Sequence, residues 1–240
     1  MTAKEIQEFY FVRLAAAYVR GVALSQPERV ALPEHLLISD FSLLSDGDCA
    51  EILSLARAQD LRIHAFKRTM GLPRVRKVIG WLRGFRPDRL LDIGSGRGAF
   101  LWPLLDEFPS LSVTALDLRE DRISAIEAVA RGGFPHLSGK RFDITLSSPS
   151  SLLPADVVTA LEVWEHIPNL EAAARFCLDH AEEALIVSVP SQEDENPEHI
   201  HLLTKNKLTY LLGLRDRRRI RFDSVPGHLL AVATSSERDS

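Results

Sequence analysis

The stretch Leu90-Leu91-Asp92-Ile93-Gly94-Ser95-Gly96-Arg97-Gly98-Ala99-Phe100 limits what this chain can become more than any other. An apolar run that ends in an acid and three alternating glycines reads as a buried strand turning sharply into a helix, because glycine alone lets backbone come close to a ligand. The spacing is G-x-G-x-G behind an acid. The dinucleotide fingerprint is G-x-G-x-x-G, which sets a pyrophosphate on a helix N-terminus, so a phosphate site is the weaker reading. A second acidic strand end, Val113-Thr114-Ala115-Leu116-Asp117, follows about twenty residues later, the distance a strand-helix-strand unit requires.

Asp92-x-Gly94-x-Gly96-x-Gly98 resembles motif I of the class I S-adenosylmethionine-dependent methyltransferases, and the likeness runs from about Phe66 to the end of the chain. It implies a Rossmann-like α/β fold: a mostly parallel, doubly wound sheet closed by an antiparallel C-terminal hairpin. It implies an S-adenosyl-L-methionine cofactor whose methionine part lies over the glycine turn and whose ribose is gripped by Asp117. The cofactor set so implied is Asp92, Gly94, Ser95, Gly96, Gly98, Asp117, Leu118, Asp143, Ile144 and Glu162. The chain is expected to divide into a helical N-terminal extension over 1–65 and a methyltransferase domain over 66–240.

The rest of the chain supports that alternation of strand and helix. A leading helix from Ala3 to about Val22, carrying Ile6, Phe9, Tyr10, Leu14 and Tyr18, is followed by breaks at Gly21, Pro27 and Pro33, and by a helix over Asp48 to Ala58. These leading helices suit a cap over the active site as well as an extension that shields the sheet. Pro73 starts a helix striped by Val75, Val78, Ile79 and Leu82, and Ala99 to Phe108 is helical if Pro103 lies in its first turn. Arg119 to Arg131 is a helix that Gly132-Gly133 stops, and Lys140 to Ile144 is the third strand. Asp143 is either an adenine neighbour or a turn cap. Asp156 to Leu161 and Ala184 to Pro190 are strands of the kind buried on both faces. Arg219 to Phe222 and Leu229 to Ala233 form a hairpin around Pro226-Gly227.

Glu162-Val163-Trp164-Glu165-His166 lies at a strand's C-terminal end, where open α/β sheets place their sites. Glu165, His166 and, from the loop over Ser191 to Thr204, His199 are the candidate catalytic residues, with histidine the base when the acceptor must lose a proton. Glu162-x-x-Glu165-His166 with His199 is also similar to the two-glutamate, two-histidine metal site of the small-RNA 3′-terminal ribose 2′-O-methyltransferases. That similarity implies magnesium or manganese and an RNA end as acceptor. The chain departs from that family after His199, with Ile200-His201-Leu202-Leu203-Thr204 in place of an aromatic Trp-Thr signature. The same Glu-x-x-Glu-His pattern occurs in metal-free enzymes acting on small molecules. Three readings therefore stand: methyl transfer to a small oxygen or nitrogen acceptor, metal-assisted methylation of RNA ends, and a non-catalytic S-adenosylmethionine-binding module.

Charge and cysteine content narrow the setting. The formal net charge is −4 over 240 residues, so no overall field gathers nucleic acid, and RNA binding would need a local patch. Lys67, Arg68, Arg74, Arg76, Lys77, Arg83, Arg86 and Arg89 are the candidate patch, against the alternative of a solvated helix face. Arg215, Arg217, Arg218, Arg219 and Arg221 could bind phosphates, but fit better a charged edge strand that resists aggregation. Cys49 and Cys177 make neither a disulfide framework nor a C-x-x-C site. Arg13 and Arg20 interrupt the apolar span from Phe9 to Leu24, so no membrane helix is expected and a cytoplasmic location is.

Overall fold

A computed structural model describes residues 10–38, 40–146, 152–193, 195–215 and 218–235. Its strands are β1 (Arg89–Ile93), β2 (Ser112–Asp117), β3 (Leu137–Arg141), β4 (Ala155–Leu161), β5 (Ala181–Pro190), β6 (Arg218–Val225) and β7 (His228–Ser235). They form one seven-stranded sheet in the order β3-β2-β1-β4-β5-β7-β6. Strands β1, β4 and β5 pair in parallel, whereas β7 runs antiparallel to both β5 and β6. The helices are α1 (Val12–Ser25), α2 (Glu34–Ile38), α3 (Asp46–Ala58), α4 (Pro73–Phe85), α5 (Leu101–Glu107), α6 (Glu120–Gly133), α7 (Leu170–His180) and α8 (Lys205–Leu212). The expected Rossmann-like class I methyltransferase fold, with its antiparallel ending, is what the chain adopts. No helix among the described residues is long and apolar enough to cross a membrane.

Two compact units share the chain. The first gathers Met1–Gly71, Ser95–Ala115 and Arg119–Arg141. Here α1 lies directly on α6, backbone against backbone. A Cβ at Gly21 would run into the Ala128 carbonyl, and one at Gly132 into the Ala17 carbonyl. Gly21 does not break its helix, contrary to the sequence expectation, and lies inside α1, whereas α6 ends at Gly133, so Gly132-Gly133 closes it as expected, with Gly132 in the last turn. The close approach that their missing side chains permit outweighs their poor helix propensity. Arg20 ties the contact down by donating to the carbonyls of Gly132 at 3.0 Å and Leu37 at 2.6 Å. The lead helix was expected from Ala3, and its residues Ile6 and Phe9 fall outside the described residues.

Helix α3 begins where its cap demands. Ser45 accepts from the Asp48 amide at 3.2 Å and Asp48 returns the bond to the Ser45 amide at 2.8 Å, a reciprocal capping box. Pro103 falls at the third position of α5, inside the first turn, where its missing N–H costs nothing. The third strand ends at Arg141, so Asp143 and Ile144 lie in the turn beyond it.

The second unit gathers Leu72–Gly94, Leu116–Leu118 and Phe142–Ser240. Its core is the apolar filling of β1, β4 and β5 with α7 and α8, including Leu91, Val158, Trp164, Phe176, Leu185 and Leu211. Parallel pairing sets Ile93 beside Ala160 and Leu161 beside Ser188, and the antiparallel step sets Pro190 beside His228. The carboxyl ends of β1, β4 and β5 and the start of β7 therefore share one edge of the sheet.

Candidate active site

Asp92 is buried, and its Oδ1 accepts a hydrogen bond from Thr159 Oγ1 at 2.7 Å across the β1–β4 pair. Burial of a carboxylate is tolerable only with such partners. Gly94 then turns the chain with φ 68°, its amide donating to the Leu116 carbonyl at 2.7 Å. Gly96 and Gly98 follow with φ 54° and 78°. Two of these glycines answer to the protein itself: a Cβ at Gly94 would meet the Val163 side chain at 2.6 Å, and one at Gly98 would enter the Trp102 indole. Ser95 is buried, and its carbonyl accepts from the Gly98 amide at 2.8 Å.

Asp117 ends β2, half-buried, with Leu118 exposed beside it. The Phe142 amide donates to the Asp117 carbonyl at 3.1 Å, which brings the Asp143 turn alongside. Asp143 caps that turn, its Oδ1 accepting from the Thr145 amide at 2.9 Å and hydroxyl at 2.7 Å, while Ile144 is buried. Of the two readings left open for Asp143, the turn cap is the one the hydrogen bonds occupy.

Glu162 departs from its neighbours. It adopts φ 59°, a left-handed conformation that a residue with a Cβ takes at a cost. Its amide donates to the Ser188 carbonyl at 2.9 Å, and its Oε1 accepts from the Ser188 hydroxyl at 2.6 Å. Its Oε2 lies 3.0 Å from His228 Nδ1, off the line of a hydrogen bond, so the contact is electrostatic. On the far side of that ring, Arg74 donates toward His228 Nε2 at 3.4 Å. A guanidinium has no acceptor, so Nε2 carries the lone pair and the proton of neutral His228 faces Glu162.

Beyond Glu162 the chain makes a short 3-10 turn, Trp164–His166, pinned from below by the fully buried Trp164. The indole faces Cys177, whose thiol burial pushes up to about 12 despite that contact. Glu165 is buried in the middle of this turn, and its carbonyl accepts from the amides of Ile200 at 2.9 Å and His201 at 3.3 Å. This pairing carries the loop after β5 back to the turn. As a result Glu165, His166 and His199 offer ligand atoms that all lie within 4.8 Å of one another. The two imidazoles meet edge to face, with centroids 4.8 Å apart at 62°. His166 Nδ1 lies 2.9 Å from the Glu198 carbonyl, which can only accept, so Nδ1 holds the proton and Nε2 keeps its lone pair. His201 is turned away, its Nε2 donating to the Ile167 carbonyl at 3.2 Å.

Of the four residues expected from the two-glutamate, two-histidine pattern, three converge and Glu162 is held by Ser188 and His228. Thr159, Ser188, His228 and Arg74 carry no motif in the sequence. Thr159 and Ser188 had a signal nonetheless, as single hydroxyls inside apolar strand runs. Some residues of the basic stretch make intrachain ion pairs: Arg68 with Asp106 at 3.7 Å, Lys77 with Asp223 at 2.5 Å, and Arg89 with Asp156 and Glu182 at 3.5 and 3.0 Å. At the sheet edge, Arg218 donates to the carbonyls of Leu178 and Ala181, and Arg215 pairs with Asp179. Arg217 lies outside the described residues.

Known proteins agree with this architecture. Residues 64–225 match the family model of a methyltransferase domain. Among solved structures, the chain is similar to the methyltransferase domain of bacterial CtHen1-C, with 18% identity and a TM-score of 0.57 over 67% of this chain and 96% of that one. An O-methyltransferase family protein from Burkholderia thailandensis gives 14% identity and a TM-score of 0.58, covering 94% of this chain and 72% of that one. Magnesium protoporphyrin IX methyltransferase from Synechocystis PCC 6803, with bound SAH, gives 18% and 0.53 over 68% and 82%. No curated protein matches the sequence. The matched span covers well over half of the chain and contains the glycine turn, Asp117 and the Glu162–His166 stretch, and on that ground the chain belongs to the methyltransferase-domain family.

Proposed function

We propose that this methyltransferase uses S-adenosylmethionine and passes its methyl group to a hydroxyl-bearing acceptor brought up to Glu165, His166 and His199. The observation that carries the reading is the convergence of those three side chains within 4.8 Å at the carboxyl edge of the sheet. The donor set around Asp117 suits the cofactor. A half-buried carboxylate at a strand end can accept from both ribose hydroxyls, the exposed Leu118 beside it offers apolar surface to a base, and Gly94, at positive φ, donates its amide to the carbonyl of Leu116 just before Asp117.

Bound S-adenosylmethionine supplies a methyl group already activated on a sulfonium sulfur, so rate comes from alignment and from exclusion of water. His166 is oriented for the remaining task. With Nδ1 donating to Glu198, its Nε2 lone pair takes the proton that the acceptor hydroxyl loses as the new oxygen–carbon bond forms. The Glu165 carboxylate and the His199 ring, both within 4.8 Å, stabilise the imidazolium so produced and fix its plane.

A second reading has its own support. The same three side chains present one carboxylate oxygen and two ring nitrogens, a donor set that suits a divalent transition ion such as manganese rather than magnesium, and an ion held there would position the terminal hydroxyls of an RNA end. Against it, Glu162 is committed to Ser188, and Arg68, Lys77 and Arg89 of the basic stretch are committed to intrachain pairs.

Titration calorimetry with S-adenosylhomocysteine is expected to show 1:1 binding, and absence of heat would overturn the cofactor reading. Labelled methyl transfer into small hydroxylated acceptors and into RNA, with and without chelator, separates the readings. Chelator-resistant labelling of small molecules supports the first, and manganese-dependent labelling of RNA ends, lost in Glu165→Ala, supports the second. Cofactor binding with no incorporation into either pool identifies a binding module.

A further inference from the structure

The glycine turn is clamped from within its own unit, and the clamp has a single centre. Trp102, nearly fully buried in the first turn of α5, donates its indole N–H to the Arg97 carbonyl at 3.0 Å. Gly98 lacks a side chain where the indole passes, so the third glycine of the motif is the seat of this ring. Behind Trp102 stands Phe66, with ring centroids 4.9 Å apart, and behind Phe66 stands Tyr18 of α1 at 5.1 Å. The brace is tied to the chain at both ends: Phe11 donates its amide to the Phe66 carbonyl at 2.9 Å, and Thr69 donates its hydroxyl to the Ala99 carbonyl at 2.8 Å.

The consequence lies in where the carbonyls point. Those of Ser95, Arg97, Gly98 and Ala99 each accept from inside the unit. A peptide plane whose oxygen is anchored inward cannot rotate to turn that oxygen outward, where it would repel the carboxylate of a bound ligand. Most residues at positive φ are glycines here, so the turn has little stiffness of its own. Its shape has to come from partners.

Resting on the cofactor reading above, we propose that Trp102 is a positioning residue for S-adenosylmethionine, which, backed by Phe66 and Tyr18 of the leading segment, holds the turn in its binding conformation. Tyr18 of α1 thereby bears on cofactor affinity through Phe66 and Trp102.

The test is Trp102→Phe, which keeps an aromatic ring but removes the pyrrole ring with its N–H, with Phe66→Leu as a milder change that leaves the bond in place. Two measurements are made on the full chain: affinity for S-adenosylhomocysteine by calorimetry, and hydrogen exchange of amides 96–99 in the ligand-free protein. Trp102→Phe is expected to weaken affinity about five- to tenfold and to speed exchange in the turn by a similar factor, with Phe66→Leu moving both in the same direction by less. Catalytic turnover at saturating cofactor should be unchanged. Wild-type affinity and exchange in Trp102→Phe would overturn the proposal while leaving the cofactor reading intact. A wild-type protein that binds no S-adenosylhomocysteine overturns that reading and this proposal with it, the exchange rates then reporting on the clamp alone.

Discussion

Glu162 and Ser188 are joined twice, once through backbone, where the Glu162 amide donates to the Ser188 carbonyl at 2.9 Å, and once through side chains, where the Ser188 hydroxyl donates to Oε1 at 2.6 Å. This double link holds Glu162 at φ 59° at the end of β4, from which the Trp164–His166 turn departs. Ser188→Ala is expected to destabilise the fold by about 1.5–3 kcal/mol, the range for a hydrogen bond to a charged acceptor. Comparison of Glu162→Ala with Glu162→Gly isolates the backbone strain. Glycine should be the more stable of the two by about 1 kcal/mol, because only it adopts positive φ freely. Urea unfolding measures both, and the reverse order would refute the strain argument.

The helix pair in the first unit makes a contrast possible between glycines. Gly21→Ala and Gly132→Ala should each cost about 3 kcal/mol or more, since the new methyl meets backbone that cannot move aside. Gly80→Ala and Gly84→Ala, in α4 with nothing near the new methyl, should instead stabilise by about 0.5–1 kcal/mol. Shifts in denaturation midpoint of equal sign at all four positions would contradict the α1–α6 contact.

Proton transfer through His166 predicts a specific kinetic signature. His166→Gln should lower turnover by roughly 10²- to 10⁴-fold on a hydroxyl acceptor, the usual range for a lost general base, with S-adenosylhomocysteine affinity unchanged. Single-turnover kinetics beside calorimetry tests this, and a variant that loses affinity and keeps turnover would remove His166 from the proton path.

Cys177 makes stability fall on the alkaline side. Its thiol titrates at about 12 in the fold against an ordinary 9.0, because burial disfavours the thiolate. A folded value raised above the unfolded one gives a contribution fully present below pH 9 and lost as pH rises toward 12. Cys177→Ala should show a shallower alkaline decline in thermal stability than the wild type, and the wild-type thiol should resist alkylation at pH 8 until the protein unfolds.

Much of this molecule was legible without coordinates. The Asp92–Gly98 turn, the acid at Asp117 and the long apolar runs of β4 and β5 identify the fold class because their signals are local, set by φ freedom, strand period and spacing. Local signals also located the Glu162–His166 stretch at a strand end. The errors arose where a local preference met a distant partner. Gly21 reads as a helix breaker, yet it lies inside α1 because its backbone meets that of Ala128, more than a hundred residues away in sequence. Only tertiary structure decided that Glu162 belongs to Ser188 and His228, that Asp143 caps its own turn, and that Gly98 makes room for Trp102. The periodicity of a chain dictates which elements form, since each residue's neighbours in sequence suffice for that. Which carboxylate is engaged and which imidazole keeps its lone pair depends on groups brought together only by the pairing of β4, β5 and β7 and by the return of the loop after β5 to Glu165, and no run of sequence encodes that encounter by itself.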